Sequence, residues 1–139
     1  MARPGFLRQT FSIFKIILAV LYFIGFSLHF LDVMNLRLSF SAMDLIWKSW
    51  ILFLLIFDLL ASIGLFLKKS WGELLFIVIA VAQLIAYIGF PSFFGEQGFL
   101  IYFHIICLSI YTVLKIFDLR SSTKLLKSQR LHAVLPKKS

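Results

Sequence analysis

The chain has 139 residues, 61% of them hydrophobic and 14% charged, with 17 Phe, one Cys and a formal net charge of +8; its mean hydropathy is +0.99. Soluble domains are about half apolar and a quarter charged, so that class is excluded, and seven Gly, three Pro and a single Cys exclude disorder, collagen and disulfide scaffolds. What remains is a small integral membrane protein, and no motif in it specifies a reaction.

Crossing about 30 Å of hydrocarbon takes about 20 helical residues, and four apolar runs reach that length. The first covers about residues 11–31. Its Lys15 lies near the start, where a long stem returns the amine to the interface. A basic stretch before an apolar run also opens secretory signals, but this run exceeds an h-region and no small-x-small site follows, so a retained span is expected. The second run covers about residues 47–67. Ser41-Ala42-Met43-Asp44 ahead of it has the form of a helix start, with a hydroxyl cap and an acid three residues on. The third covers about 71–90 and stops at Pro91; the fourth covers about 99–117, after Gly98. Short connections predict sequential antiparallel neighbours. The expected fold is all-α: an antiparallel four-helix bundle in residues 1–118 and a basic tail over 119–139.

Of the 14 Lys and Arg, only Arg37 and Lys48 fall on one side of these spans. Basic residues collect in cytoplasmic segments, so both termini are expected in the cytoplasm, in a multi-pass arrangement. Trp47, Trp50 and Trp71 sit at span ends, where indoles favour headgroup level.

Polar groups are costly in hydrocarbon, and their positions show which face of each helix avoids lipid. Ser12, Lys15, Tyr22, Gly25, His29 and Asp32 recur along one side of the first span. Asp58 and Ser62 mark the second span, Glu73, Ala80, Gln83 and Tyr87 the third, and His104, Cys107, Tyr111, Lys115 and Asp118 the fourth. One stripe per helix is hidden only by turning all four inward. By depth the stripes sort into two levels. Lys15, Glu73, Lys115 and Asp118 form an expected ion-pair level at the inner boundary, and His29, Asp58, Gln83 and His104, with Tyr22 and Tyr87, form a candidate polar pocket in the outer half.

Asp58 is the most informative of these, because an uncompensated carboxylate at mid-span costs about 2.5–3.5 kcal/mol. It must be paired, protonated or hydrated. As a functional group it serves as a proton relay or counter-charge, with His29 or His104 as partner; as structural glue it contributes about 0.6 kcal/mol. His29 and His104 lie at similar depth on the first and fourth spans, a placement open to a b-type haem or to a metal shared with Asp58, and equally to ordinary core histidines. The residues identify no definite cofactor and no dedicated metal set. The single Cys107 offers no internal disulfide and no thiol pair.

Outside the spans, residues 32–47 are expected along the membrane surface, capping the outer cluster. The aromatic segment Gly89-Phe90-Pro91-Ser92-Phe93-Phe94-Gly95 suits the interface or a partner subunit. In the tail, Arg120, Lys124, Lys127 and Arg130, with Lys137 and Lys138 beyond, are placed to meet anionic phospholipid at about 1 kcal/mol each. Nucleic-acid binding also needs positive charge, but no recognition motif or aromatic platform accompanies it here.

Gly25 followed by His29-Phe30 in the first span resembles the opening of DoxX-like four-helix proteins. Ser70-Trp71-Gly72, Tyr87 with Gly89-Phe90-Pro91 and Phe94-Gly95, and Phe103-His104 resemble an uncharacterised family of bacterial four-span proteins. That resemblance implies an inner-membrane bundle and brings no established activity.

Minimal loops, a Phe-rich lipid face and a basic tail point first to a non-catalytic accessory or scaffolding subunit, bound to a membrane protein partner or to further copies of itself. The alternative is a bundle that binds a lipid-like molecule such as a quinone, or handles protons, in the outer pocket. An electron carrier with haem between His29 and His104 is a third.

Overall fold

The computed structural model describes residues 4–95 and 97–134, with side chains at 5–95, 97–124 and Leu126. Helix α1 spans Pro4–Val33, α2 Leu45–Phe66, α3 Ser70–Leu84, α4 Pro91–Phe94 and α5 Gly98–Val134. Four stretches are long and apolar enough to cross a membrane: Gly5–Val33, Leu45–Phe66, Ser70–Gly89 and Gly98–Lys124. No strand occurs among the described residues, as hydrocarbon requires of a chain with no closed sheet: each backbone polar group must find its partner within its own helix.

The helices close a ring in which α1 and α3 each pack on both α2 and α5. Core residues come from all four: Leu18 and Tyr22 from α1, Leu54 and Leu65 from α2, Phe76 and Ile79 from α3, Cys107 and Tyr111 from α5. The Tyr22 and Phe76 rings meet edge to face across the centre at 5.8 Å. Outward faces are apolar throughout, with Ile17, Phe23, Ile56, Val78, Ile106 and Val113 among the exposed side chains. They form the surface expected to meet acyl chains.

The turns decide how closely the helices approach. At the end of α2, Lys69 N–H donates to the Gly64 carbonyl at 2.9 Å and Lys68 N–H to Leu65 at 3.0 Å. This is the paired C-terminal capping pattern whose penultimate residue is left-handed, and Lys68 has φ 56°. The reversal is tight enough to bring Gly64 and Gly72 into backbone contact: a Cβ on Gly72 would lie 2.2 Å from the Gly64 carbonyl carbon. Asn35, also at φ 56°, ends α1 in the same way, with Leu36 N–H bonded to Leu31 and Asn35 N–H to Asp32.

One local expectation is corrected. The cap of α2 is Asp44, whose side chain accepts from Trp47 N–H at 2.8 Å, rather than Ser41; Ser41 belongs to a 3-10 turn at Phe40–Ala42 and bonds to Asn35 Oδ1 instead. The third span runs where it is expected, over Ser70–Gly89, with Ile85–Gly89 π-helical. Pro91 opens the one-turn α4, and Phe94 packs on Trp47 and Trp50 at 5.6 and 5.2 Å.

Helix α5 continues without a break past residue 118. Its 37 residues make a helix about 55 Å long at 1.5 Å per residue, well beyond the hydrocarbon thickness. Arg120 and Lys124 are exposed on that extension. Of Lys127 and Arg130 only the helical backbone is described; Lys137, Lys138 and Arg3 lie outside the described residues.

Candidate functional site

Polar interior groups occupy two layers. At the end of the bundle holding the α2–α3 turn, Glu73 is 6% exposed and gathers three groups. Lys15 Nζ donates to its Oε1 at 3.0 Å, and Lys115 Nζ and Tyr111 Oη donate to Oε2 at 2.6 and 2.8 Å. Both ammonium groups also face the Phe11 ring, at 4.6 and 5.6 Å from its centroid. One carboxylate thus serves two cations from α1 and α5. Asp118, expected in this layer, makes no ion pair among the described residues and is only half-buried, one turn beyond Lys115. Tyr111 takes the fourth place, and its spacing of four from Lys115 was the available signal.

The second layer lies toward the opposite end. A cavity of about 470 Å³ is lined by His29, Asp58, Gln83, His104, Tyr22 and Tyr87, the six candidates named from the sequence, and by Arg37. Polar lining comes from every long helix. Apolar lining comes from α1 and α5: Leu21, Ile24 and Leu28 on one side, Phe99, Leu100 and Phe103 on the other. Ile24 and Phe99 are 49% and 80% exposed, so the α1–α5 seam is the side of the cavity that faces lipid.

Asp58 is 3% exposed and, unlike Glu73, makes no ion pair with a lysine or arginine among the described residues. Its Oδ2 stands 3.8 Å from His29 Nε2, while its Oδ1 has no hydrogen-bond partner. Gly25 makes room for it: a Cβ there would sit 2.7 Å from Oδ2. His29 directs its other nitrogen, Nδ1, to Asp32 Oδ2 at 3.6 Å, too long for a hydrogen bond. Asp32 is 1% exposed and is gripped by Arg37, with Nε on Oδ1 at 2.6 Å and Nη2 on Oδ2. That carboxylate raises the proton affinity of the Arg37 guanidinium above its usual value, chiefly through the hydrogen bond.

Two further groups complete the wall. His104 Nδ1 bonds to the Leu100 carbonyl at 2.7 Å, and since a carbonyl only accepts, the neutral ring carries its proton on Nδ1 and keeps a lone pair on Nε2. Gln83 Oε1 is buried without a partner. The π-helical turn follows directly and sets buried Tyr87 one turn from Gln83, with the Trp50 indole N–H within 3.5 Å of the phenol. The unpartnered atoms His29 Nδ1, Asp58 Oδ1 and Gln83 Oε1 thus all belong to residues of one cavity. Buried polar atoms are nearly always satisfied, by protein, ordered water or a ligand, and these three gather in one wall.

No group of three His, Cys, Asp or Glu among the described residues converges on a point where it could hold a metal ion. Arg37 and Asp32 were not singled out as site residues in the sequence. The signal was thin: Arg37 is one of two basic residues on its side, five positions after Asp32.

Fold and interior define a four-span membrane bundle with a polar centre in two layers. The chain belongs to a family of unknown function (DUF6163), whose model matches residues 6–122. No curated protein and no solved structure matched the chain.

Proposed function

We propose that this protein binds a lipid-like molecule with a hydrogen-bonding ring head, of the quinone or quinol class, in the cavity around Asp58. The observation that carries this is the concentration of unpartnered polar atoms in a cavity of about 470 Å³ whose remaining lining is apolar and faces lipid at the α1–α5 seam. A head with hydroxyls would donate to Asp58 Oδ1 and Gln83 Oε1, and a carbonyl would accept from Tyr87, whose hydroxyl proton is uncommitted while that of Tyr22 goes to the Phe76 carbonyl. The tail would leave between Ile24 and Phe99. The distribution of Lys and Arg supports both termini being cytoplasmic and the cavity lying in the outer leaflet; the resemblance to bacterial four-span proteins supports an inner-membrane setting, and the first span a distant DoxX likeness.

Binding of a short-chain quinol to the protein in lipid nanodiscs, read from quenching of Trp50 fluorescence, tests this. Asp58→Asn keeps an oxygen acceptor but turns a hydrogen bond to a charged group, worth about 1.5–3 kcal/mol, into a neutral one worth about 0.5–1.5 kcal/mol, so affinity should fall about 5- to 10-fold. Gly25→Ala, which displaces the same carboxylate, should weaken binding in the same direction. Equal quenching curves for the wild type and Asp58→Asn would contradict the proposal.

A second role, as an accessory subunit held at anionic lipid or by a partner, is favoured by the length of α5 beyond the hydrocarbon and by exposed Arg120 and Lys124 on it. Crosslinking in native membranes should then trap a stoichiometric partner or a second copy through residues 119–134.

A further inference from the structure

Arg37, Asp32, His29 and Asp58 form a continuous row from the end of α1 to the middle of α2, and the cavity occupant alone does not account for it. A pocket for a neutral ring needs neither a second buried carboxylate nor an arginine locked to it. Among the described residues His29 alone faces both acids, Nε2 toward Asp58 at 3.8 Å and Nδ1 toward Asp32 at 3.6 Å. Both gaps exceed a hydrogen bond by less than about 1 Å, so a small rotation of the imidazole closes one or the other. An imidazole with a carboxyl group on each side is the arrangement by which a proton enters at one nitrogen and leaves at the other.

We infer that His29 carries protons between Asp58 in the cavity and Asp32 at the membrane surface. In the outward step the Asp58 Oδ2–H bond breaks and the proton joins the lone pair of His29 Nε2, leaving Asp58 a carboxylate and His29 an imidazolium. The Nδ1–H bond then breaks, its proton joins Asp32 Oδ2, and His29 is neutral again in the opposite tautomer. Asp32 is itself buried, so it releases the proton to water when the exposed Arg37 that covers it moves aside, and the carboxylate that remains pairs with the guanidinium again on its return. The inward step is the reverse, and no electron moves in either.

Other groups facing this row set limits on it. Tyr22 from α1 and Gln83 and Tyr87 from α3 share the cavity with Asp58, and His104 from α5 lines the opposite wall. His104 has committed Nδ1 to the Leu100 carbonyl and has no second acid beside it, so it cannot pass a proton through its ring. Lys15, Glu73 and Lys115 are occupied with one another in the other layer. The route therefore leaves toward Arg37 and not toward the α2–α3 turn. It gains its purpose from the cavity proposed above, since reduction or oxidation of a quinone requires protons, but its geometry stands without a ligand.

The test is hydrogen–deuterium exchange of the Asp58 carboxyl, followed by infrared difference spectroscopy on the whole chain in nanodiscs without added quinone, with the band assigned by its loss in Asp58→Asn. His29→Leu should slow the exchange at least about 100-fold, the contribution usual for a positioned acid–base group. His29→Gln, which keeps polarity and about the same volume, should do the same and covers the case in which the leucine variant does not fold. Asp32→Asn should slow exchange while leaving the helix content intact. Exchange at the wild-type rate in either folded His29 variant would overturn the inference, as would a carboxyl band in this region that Asp58→Asn leaves unchanged. Loss of quinol binding with normal exchange in the wild type would count against the proposed occupant alone.

Discussion

Replacing Glu73 with Gln is expected to lower the stability of the bundle by about 3–5 kcal/mol, the cost of removing one member of a buried charge cluster. The size follows from the arrangement. Glu73 is the sole carboxylate that Lys15 and Lys115 contact among the described residues, so its loss leaves two ammonium groups facing a phenol and the Phe11 ring. The amide retains the shape, which separates charge from packing. Lys115→Met should cost far less, about 1 kcal/mol or under, because the lysine side chain is 36% exposed and Lys15 still neutralises the acid. Unfolding in mixed micelles measures both. A Glu73→Gln variant within about 0.5 kcal/mol of the wild type, the range of ordinary surface changes, would show that this layer does not hold the helices together.

The second large effect is expected at the α2–α3 crossing. A methyl on Gly64 would lie 2.5 Å from the Gly72 Cα and 2.6 Å from the Trp71 ring, and one on Gly72 would meet the Gly64 backbone. Backbone cannot rotate away as a side chain can, so the helices must separate along their length. Gly64→Ala or Gly72→Ala should each reach the upper part of the 1–3 kcal/mol range for overpacking, about 3 kcal/mol. Once the helices have parted, the second methyl has room. The double variant should therefore cost clearly less than the sum of the single ones, a coupling that a thermodynamic cycle measures. Additive losses would mean that the two glycines do not share a contact.

The sequence revealed the pocket candidates because hydrocarbon penalises every polar side chain, so a stripe of three or four spacings has one possible destination once four helices are confined together. His29, Asp58, Gln83 and His104 were found by that reasoning, and one cavity holds them all. Where lipid imposes nothing, the pattern carried less. Asp118 follows Lys115 by one turn and falls on the stripe, yet it lies near the surface, where water solvates a carboxylate and no partner is required. Arg37 sits in a loop whose course no periodicity records, so its return to Asp32 was not legible. The π-helical turn depends on one extra residue accommodated before Pro91, and an α-helical and a π-helical span have the same hydropathy. Asp44 and Ser41 are both good caps, and the choice between them rests on where the chain leaves Asn35.

Cavity and proton row share one feature: Asp58 is a buried acid that makes no ion pair with a lysine or arginine among the described residues, in contrast to Glu73. A carboxyl group in that position is available to a ligand through Oδ1 and to His29 through Oδ2. Its two oxygens therefore carry the two proposals, and Gly25 permits both by leaving the space they occupy.

The most direct measurement is mass spectrometry of the small molecules that remain with the protein when it is taken from its native membrane in polymer-bounded nanodiscs. A ring-headed amphiphile at close to one per chain is expected in the wild type, bound about five- to tenfold more weakly by Asp58→Asn, as loss of about 1–1.4 kcal/mol requires, and so depleted in that preparation. Identical lipid contents in the two preparations, with no such molecule enriched in either, would contradict a ligand site at Asp58.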